Sequence, residues 1–402
     1  MKNKLSIFVK RLIDFLKDDI MKKIVIIGAN DFQNPLILKA KEMGFETHVF
    51  AWQDGSIGER TADYFYPISI VEKEEILKKC QEIKPDAVAT IASDLANVTV
   101  QFLAKHLGLP CNSDECIEIS TNKYKMRCAF MKNGVATPFF KSVSNVEELG
   151  DLKQISFPVI VKPTDRSGSR GITKVESAKG LKDAIEASVK QSFEKKAIVE
   201  EYIEGPEYSC ECVSFEGQHT LLTVTKKFTT GAPHFIETGH LEPAPLSNET
   251  LLKVQKEIFA GLNALQIRFG ASHSEFRITP QGEVRIIEIG SRMGGDCIGS
   301  DLVRLSTGYD FVKMVVDTAS GKSPDFTKFS KPQYAAIRFV FTKKDIEVLE
   351  KIKKDSPSSI QFISELSEIG DRKIVDSGTR YGFYIITANT YEEIINLSEL
   401  SE

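Results

Sequence analysis

The sequence predicts a mixed α/β and α+β protein: an N-terminal Rossmann-like unit, a larger part containing antiparallel strands, and a closing α+β segment. Three observations carry that expectation. From Met21 onward apolar strands alternate with helical patterns, as parallel sheets require. Ser274-Glu275-Phe276 and Arg285-Ile286-Ile287-Glu288 read as two strands joined by the turn-rich Thr279-Pro280-Gln281-Gly282-Glu283, an antiparallel hairpin. After residue 326 short strands near Ile360–Ile363 and Tyr384–Ala388 are mixed with short helices.

Composition narrows the function classes. A chain of 402 residues can hold two or three domains, each with its own core. The balance of 52 basic against 56 acidic residues, net −4, argues against a general nucleic-acid binder. The 7 cysteines contain no Cys-x-x-Cys pair, which fits reduced thiols and a cytoplasmic location. No apolar run is long enough to span a membrane.

Residues 1–20 read as an appended basic amphipathic helix, with Leu5, Phe8, Leu12 and Leu16 on one face. Packing on the body or on a partner subunit is the expected role, rather than contact with a membrane surface. Residues 21–112 form the Rossmann-like unit. Lys23–Asn30, Glu46–Trp52 and Ala87–Ile91 are its strands, and Pro35–Met43 a helix closed by Gly44. Gly28 is the lone glycine of its turn, so the dinucleotide fingerprint is missing. Ser93-Asp94 follow the third strand at its carboxyl end, where open α/β sheets place ligands, although a helix N-cap is the favoured account of them.

The stretch from 113 is richer. Ser120 to Arg127 is a capped helix start carrying Lys123, and both features favour phosphate. Phe157–Pro163 is an apolar strand with Lys162 inside it, and a buried lysine requires an anionic partner. The small-residue loop 164–171 follows, then the strand Ile172–Val175; such a loop wraps phosphate with backbone N–H groups or is merely a flexible hairpin. It is no Walker loop, because the order is strand-Lys-loop-strand. Ala197–Glu207 runs from an apolar strand into acidic residues and a Gly-Pro turn, and Tyr208–Phe215 is another strand.

In the hairpin, strand alternation lets Glu275 and Glu288 face one side. Two carboxylates there suit a hard divalent cation that also takes phosphate oxygens. Arg292 adds a planar donor fork, and Gly294-Gly295 allow a backbone to approach a ligand. Two solvated Glu and a surface Arg are the bland alternative.

Taken in order, Lys123, Pro158–Pro163, the loop to Gly171, Val199–Glu207, Glu275 and Glu288–Arg292 resemble the ATP-grasp superfamily over roughly residues 22 to 345. The resemblance implies an ATP-grasp fold: a Rossmann-like pre-ATP-grasp domain at 21–112, an ATP-grasp domain at 113–325 with a small central lid at about 155–210, and a C-terminal α+β lid subdomain at 326–402. It implies that Lys123 and Lys162 touch the ATP phosphates, and that Ser167, Gly168, Ser169 and Gly171 belong to the loop over the triphosphate. Glu200, Glu201, Tyr202 and Ile203 then face adenine, Glu207 takes the ribose hydroxyls, and Glu275 and Glu288 hold Mg²⁺, with Mn²⁺ as the alternative ion. One departure stands out: most of the superfamily has Asn where this chain has Gly290.

A branch resembling bacterial L-amino-acid ligases shares that departure and carries Glu-x-x-His, matched by Glu237-Thr238-Gly239-His240. The resemblance implies that Glu237 binds a substrate ammonium and His240 a carboxylate or the attacking amine; a loop whose Glu/His pair has no such role is the bland alternative. These residues are expected in a Gly/Pro-rich loop that shapes the substrate pocket with Arg292, Gly294 and Gly295, and Arg292 also steadies transition-state charge. The expected function is an ATP- and Mg²⁺-dependent ligase joining a carboxylate to an amine through an acyl phosphate, acting on small molecules as a homodimer. The alternatives are a carboxylase or purine-pathway ligase of the same superfamily, and a nucleotide-binding protein without turnover.

Overall fold

The computed structural model of the chain describes residues 21–152, 155–168, 170–232, 235–370, 374 and 377–400. The expected helix over residues 1–20 and the loop residue Ser169 therefore lie outside the described residues.

The N-terminal unit is a four-stranded sheet of β1 (Lys23–Ile27), β2 (Glu46–Phe50), β3 (Tyr64–Tyr66) and β4 (Ala87–Ala89), in the order β3-β2-β1-β4 and parallel throughout. Ile24 to Ile27 are all fully buried because helices cover both faces, which is why β1 reads as a continuous apolar run. The strands are shorter than expected and β3 went unread; β4 pairs with β1 only over Ala87–Ala89. Gly28 has φ +104°, and a Cβ there would lie 2.2 Å from the Gln33 side chain, so the turn after β1 admits only glycine. Ser93 caps the helix Asp94–Leu107 by accepting a hydrogen bond from the Ala96 N–H (3.2 Å).

Two antiparallel sheets follow. The smaller comprises β5 (Phe140–Val143), β6 (Val159–Pro163), β7 (Thr173–Val175) and β8 (Ala197–Glu201), in the order β5-β8-β6-β7. The helix Leu181–Gln191 lays Leu181, Ala184 and Ile185 on Val159, Val161 and Val199. The larger has eight strands: β9 (Glu207–Phe215), β10 (Gln218–Thr229), β11 (Glu237–Glu242), β12 (Gly270–Ile278), β13 (Val284–Gly290), β14 (Tyr334–Phe339), β15 (Ile360–Ile363) and β16 (Phe383–Ala388). Its order is β13-β12-β9-β10-β11-β14-β16-β15. The sheet runs without a break across residues 325–326, and the helices Lys343–Asp355 and Tyr391–Ser398 pack on its C-terminal strands.

Packing fixes these parts against one another. Phe130, Ile258 and Leu262 bury one side of the large sheet against Phe276, Ile286 and Ile289. Each such side chain contributes about 1.5–3 kcal/mol of hydrophobic stabilisation. On the other side Val213, Leu222 and Ala271 share a core with Ile24, Ile26 and Leu36 of the N-terminal unit, bridged by Phe311, Val312 and Met293. The N-terminal unit is thus held by the same core that backs the large sheet. No helix among the described residues is long and apolar enough to cross a membrane.

Candidate active site

A cleft of about 290 Å³ is lined by residues of both antiparallel sheets, of the helix Lys123–Lys132 and of the segment after β13. On the small-sheet wall Lys162 Nζ lies 2.5 Å from Glu200 Oε1, and Arg127 Nε lies 2.9 Å from Glu200 Oε2. Strand pairing sets this up: β6 and β8 are antiparallel neighbours, with Ile160 opposite Glu200 and Lys162 opposite Ile198. Burial alone would raise the Glu200 carboxyl, but Arg127 and Lys162 outweigh it and hold it down at about 2. Lys123 Nζ donates to Glu288 Oε1 (2.8 Å) and to the Arg166 carbonyl (2.7 Å), tying the helix start to the hairpin and to the loop.

The large-sheet wall is built on the expected hairpin, and Glu275 is the direct cross-strand partner of Glu288. Lys227 of β10, buried beneath them, lies 2.5 Å from Glu275, 3.2 Å from Glu207 and 3.6 Å from Glu237. Burial opposes its charge, yet these carboxylates, Glu275 foremost, hold the ammonium well above its ordinary range. Glu207 also receives Arg277 (3.0 Å), and Arg277 donates to the Tyr202 hydroxyl and to the Ile203 carbonyl (3.0 Å). Behind the wall the fully buried Glu211 accepts from His273 and from the Gly294 N–H (2.9 Å).

Glu237 and His240 lie on strand β11, not in the loop expected from their glycine- and proline-rich surroundings. The spacing i, i+3 would put them on opposite faces of a regular strand. A bulge between Phe228 and Thr229 of the β10–β11 ladder resets the alternation: Thr229 pairs with Glu237 and Lys227 with His240, so both face the cleft. Glu237 is bound by Arg380 NH2 (3.0 Å), and Arg380 NH1 holds Asp296 (2.8 Å). His240 Nε2 stands 3.6 Å from Asp296, and burial lowers its pKa despite that carboxylate, so the ring is neutral near neutral pH.

At the end of the hairpin Arg292 forms a two-point ion pair with Asp94: Nε to Oδ1 at 2.9 Å and NH2 to Oδ2 at 3.0 Å. Of the remaining expected site residues, Ser167, Gly168, Glu201, Tyr202, Ile203 and Gly295 line the cleft. Gly171 and Gly294 do not. Gly171 turns the chain at φ +70° beside Pro163, and a Cβ on Gly294 would lie 2.7 Å from Glu211.

Residues 155–300 match the sequence profile of the ATP-grasp domain. This stretch is an ATP-grasp domain. The chain is similar in fold to an L-amino acid ligase from Bacillus licheniformis, with TM-score 0.82 at 24% identity, covering 94% of this chain and 96% of that one. It is also similar to the biotin carboxylase domain of the Hydrogenobacter thermophilus 2-oxoglutarate carboxylase in complex with MgADP, with TM-score 0.72 at 18% identity, covering 93% and 88%. In sequence it is 26% identical over 291 residues to alanine–anticapsin ligase of Bacillus subtilis, covering 65% of this chain and 61% of that one. The matched stretches span 50%, 55% and 61% of three curated relatives.

Several groups of the ATP-grasp cleft were missed in the sequence. Lys227 lacks the signal of Lys162: it follows Lys226 in a strand rich in Thr, whereas Lys162 ends an apolar run. Arg277 shares the strand face of Glu275, and Arg127 lies one turn beyond Lys123 on its helix. Arg380 gave no local signal: only the folding of the C-terminal segment onto β11 brings it to Glu237.

Proposed function

We propose that the protein is an ATP- and Mg²⁺-dependent ligase that joins a carboxylate, an amino acid by preference, to an amine. The observation that carries this reading is the pairing of unlike walls in one cleft: lysines and an arginine beside the loop on one side, opposed carboxylates on the other. The similarity to alanine–anticapsin ligase supports the amino-acid choice.

The residues fit the expected cation. Glu275 and Glu288 are paired across strands, and both reach the cleft. Glu275 is held well below the ordinary carboxylate range, because Lys227 and His273 outweigh the burial that would raise it. No group of three metal-binding side chains forms among the described residues, so phosphate oxygens would complete the shell, as Mg²⁺ prefers. When bound, the ion neutralises phosphate charge. Lys123 and Lys162 hold the phosphates in line, and Arg292 binds the substrate carboxylate as it attacks the γ-phosphate to give an acyl phosphate. The neutral His240 accepts a proton from the amine that displaces phosphate, and Glu237 orients its ammonium form. Mn²⁺ in place of Mg²⁺, a homodimer and a cytoplasmic location belong to the same proposal; the free state of the cysteines supports the last.

The test is a phosphate- and ADP-release screen over pairs of amino acids. Release that needs both an acid and an amine is the expected result. Release with bicarbonate or formate instead would move the protein to the carboxylase or purine-pathway reading, and no release with any acceptor would leave a nucleotide-binding protein without turnover.

A further inference from the structure

Resting on the nucleotide cleft of that reading, we propose that Asp94, a residue of the N-terminal unit, is a positioning residue for Arg292. It presents the open edge of the guanidinium to an anionic oxygen in the cleft, and Gly290 is the vacancy that the arrangement requires.

A guanidinium has five N–H bonds. In Arg292 two go to Asp94 and one, from NH1, to the Met293 carbonyl (3.2 Å). One N–H on NH1 and one on NH2 remain, and Arg292 lines the cleft. That pair of donors matches two oxygens of a carboxylate or phosphate. Arg292 is flexible on its own; a two-point partner on one edge fixes where the other edge points.

Asp94 is itself fixed. It opens the helix Asp94–Leu107, whose N-terminus favours a carboxylate. A seam of hydrogen bonds runs beside it: the Ala92 N–H donates to the Met293 carbonyl (3.2 Å), and Asn97 Nδ2 donates to the Ser291 carbonyl (2.9 Å) and hydroxyl (3.0 Å). The apolar core common to the N-terminal unit and the large sheet lies behind this seam.

Gly290 supplies the independent observation. A Cβ at this position would lie 3.0 Å from Asp94 Oδ1 and 3.4 Å from Arg292 Cζ. An asparagine side chain there and the Asp94–Arg292 pair compete for the same space. The chain has the pair, so the site gains a pre-aimed guanidinium where an amide would otherwise stand.

The test uses full-length protein loaded with MgADP and titrated calorimetrically with inorganic phosphate. Asp94→Asn should weaken phosphate binding roughly tenfold or more, and Arg292→Ala at least as much, with MgADP affinity unchanged in both as the check on folding. A second cycle follows turnover or phosphate binding in Gly290→Ala: it should impair wild type and have a much smaller effect in an Asp94→Ala background. Wild-type phosphate affinity in Asp94→Asn, or no phosphate binding by the loaded wild type, overturns the proposal. If phosphate shows the expected coupling while no amino acid releases ADP, the positioning role stands and the ligase reading falls.

Discussion

Each wall of the cleft buries a lysine inside a strand, and the two lysines differ in their company. Lys162 shares one carboxylate, Glu200, with Arg127. Lys227 faces three: Glu275, Glu207 and Glu237. The small-sheet wall therefore has cation in excess, as the proposed phosphate site requires; the large-sheet wall has carboxylate in excess, as the proposed cation site requires. One residue type at one kind of position serves two purposes, and the surrounding charge decides which. A lysine among three carboxylates holds the wall together, whereas a lysine that shares one with an arginine can spare charge for a ligand.

If this contrast is right, removing Lys227 should be felt first in stability. Lys227→Met leaves Glu275 without its closest cation and crowds it with Glu207 and Glu237, although Arg277 and Arg380 still hold those two. A loss of about 3–5 kcal/mol is expected, the range for breaking a buried ion pair from one side. Urea unfolding measures it, and added Mg²⁺ should restore part of the loss by binding the folded state. A loss no larger than that of Lys162→Met would erase the distinction between the walls.

The carboxylates come next. Glu288→Gln and Glu275→Gln keep size and remove charge, so ADP release should fall by roughly 10²–10³, the scale for loss of one element of electrostatic stabilisation. Rates followed across a Mg²⁺ series decide it: wild-type turnover in either variant takes that residue out of the metal site. Lys162→Ala should act on affinity instead, weakening a MgATP analogue by about 1.5–3 kcal/mol, the value of a hydrogen bond to a charged group. Calorimetry that finds unchanged affinity would assign Lys162 to the fold alone.

One side of this contrast was legible in the sequence, for a physical reason: Lys162 and the two glutamates were read, whereas Lys227 and Arg277 were not. A lysine in an apolar strand, a pair of glutamates on alternating strands and a small-residue loop are local signals, because strand alternation and the need to neutralise a buried charge act over a few residues. The shared side of Glu275 and Glu288 was expected from alternation, but a regular hairpin would set Glu275 opposite Ile287; a register shift between Glu275 and Phe276 brings it opposite Glu288. What stayed hidden is relational. The placement of Glu237 and His240 on one face depends on a bulge in a ladder with β10, and a Gly/Pro-rich stretch reads as loop until that ladder is known. Arg380 reaches the cleft through the C-terminal strands, and Asp94, which the sequence places at the ligand end of its sheet, meets Arg292 only through a shared core. Tertiary packing alone creates those contacts.

The smallest expected effect is a pH dependence on the small-sheet wall. Glu200 titrates at about 2 against an ordinary 4.5. A depressed carboxyl contributes stability that is fully present above its unfolded value and is lost as pH falls from about 4.5 through about 2. Burial works against the charged form, so the depression rests on Arg127 and Lys162 together. Lys162→Met removes one cation and leaves Arg127, so the Glu200 carboxyl should rise part of the way back and the variant should lose part of this contribution at neutral pH. The gap between wild type and variant should then be constant above about pH 5 and close by about 1 kcal/mol towards pH 3, since a pKa unit is worth about 1.4 kcal/mol. Urea unfolding of both proteins from pH 7 to pH 3 reads this directly. A gap that keeps its neutral-pH size down to pH 3 would mean that Lys162 does not act through Glu200, and the small-sheet wall would lose the shared-carboxylate arrangement that sets it apart from the wall around Lys227.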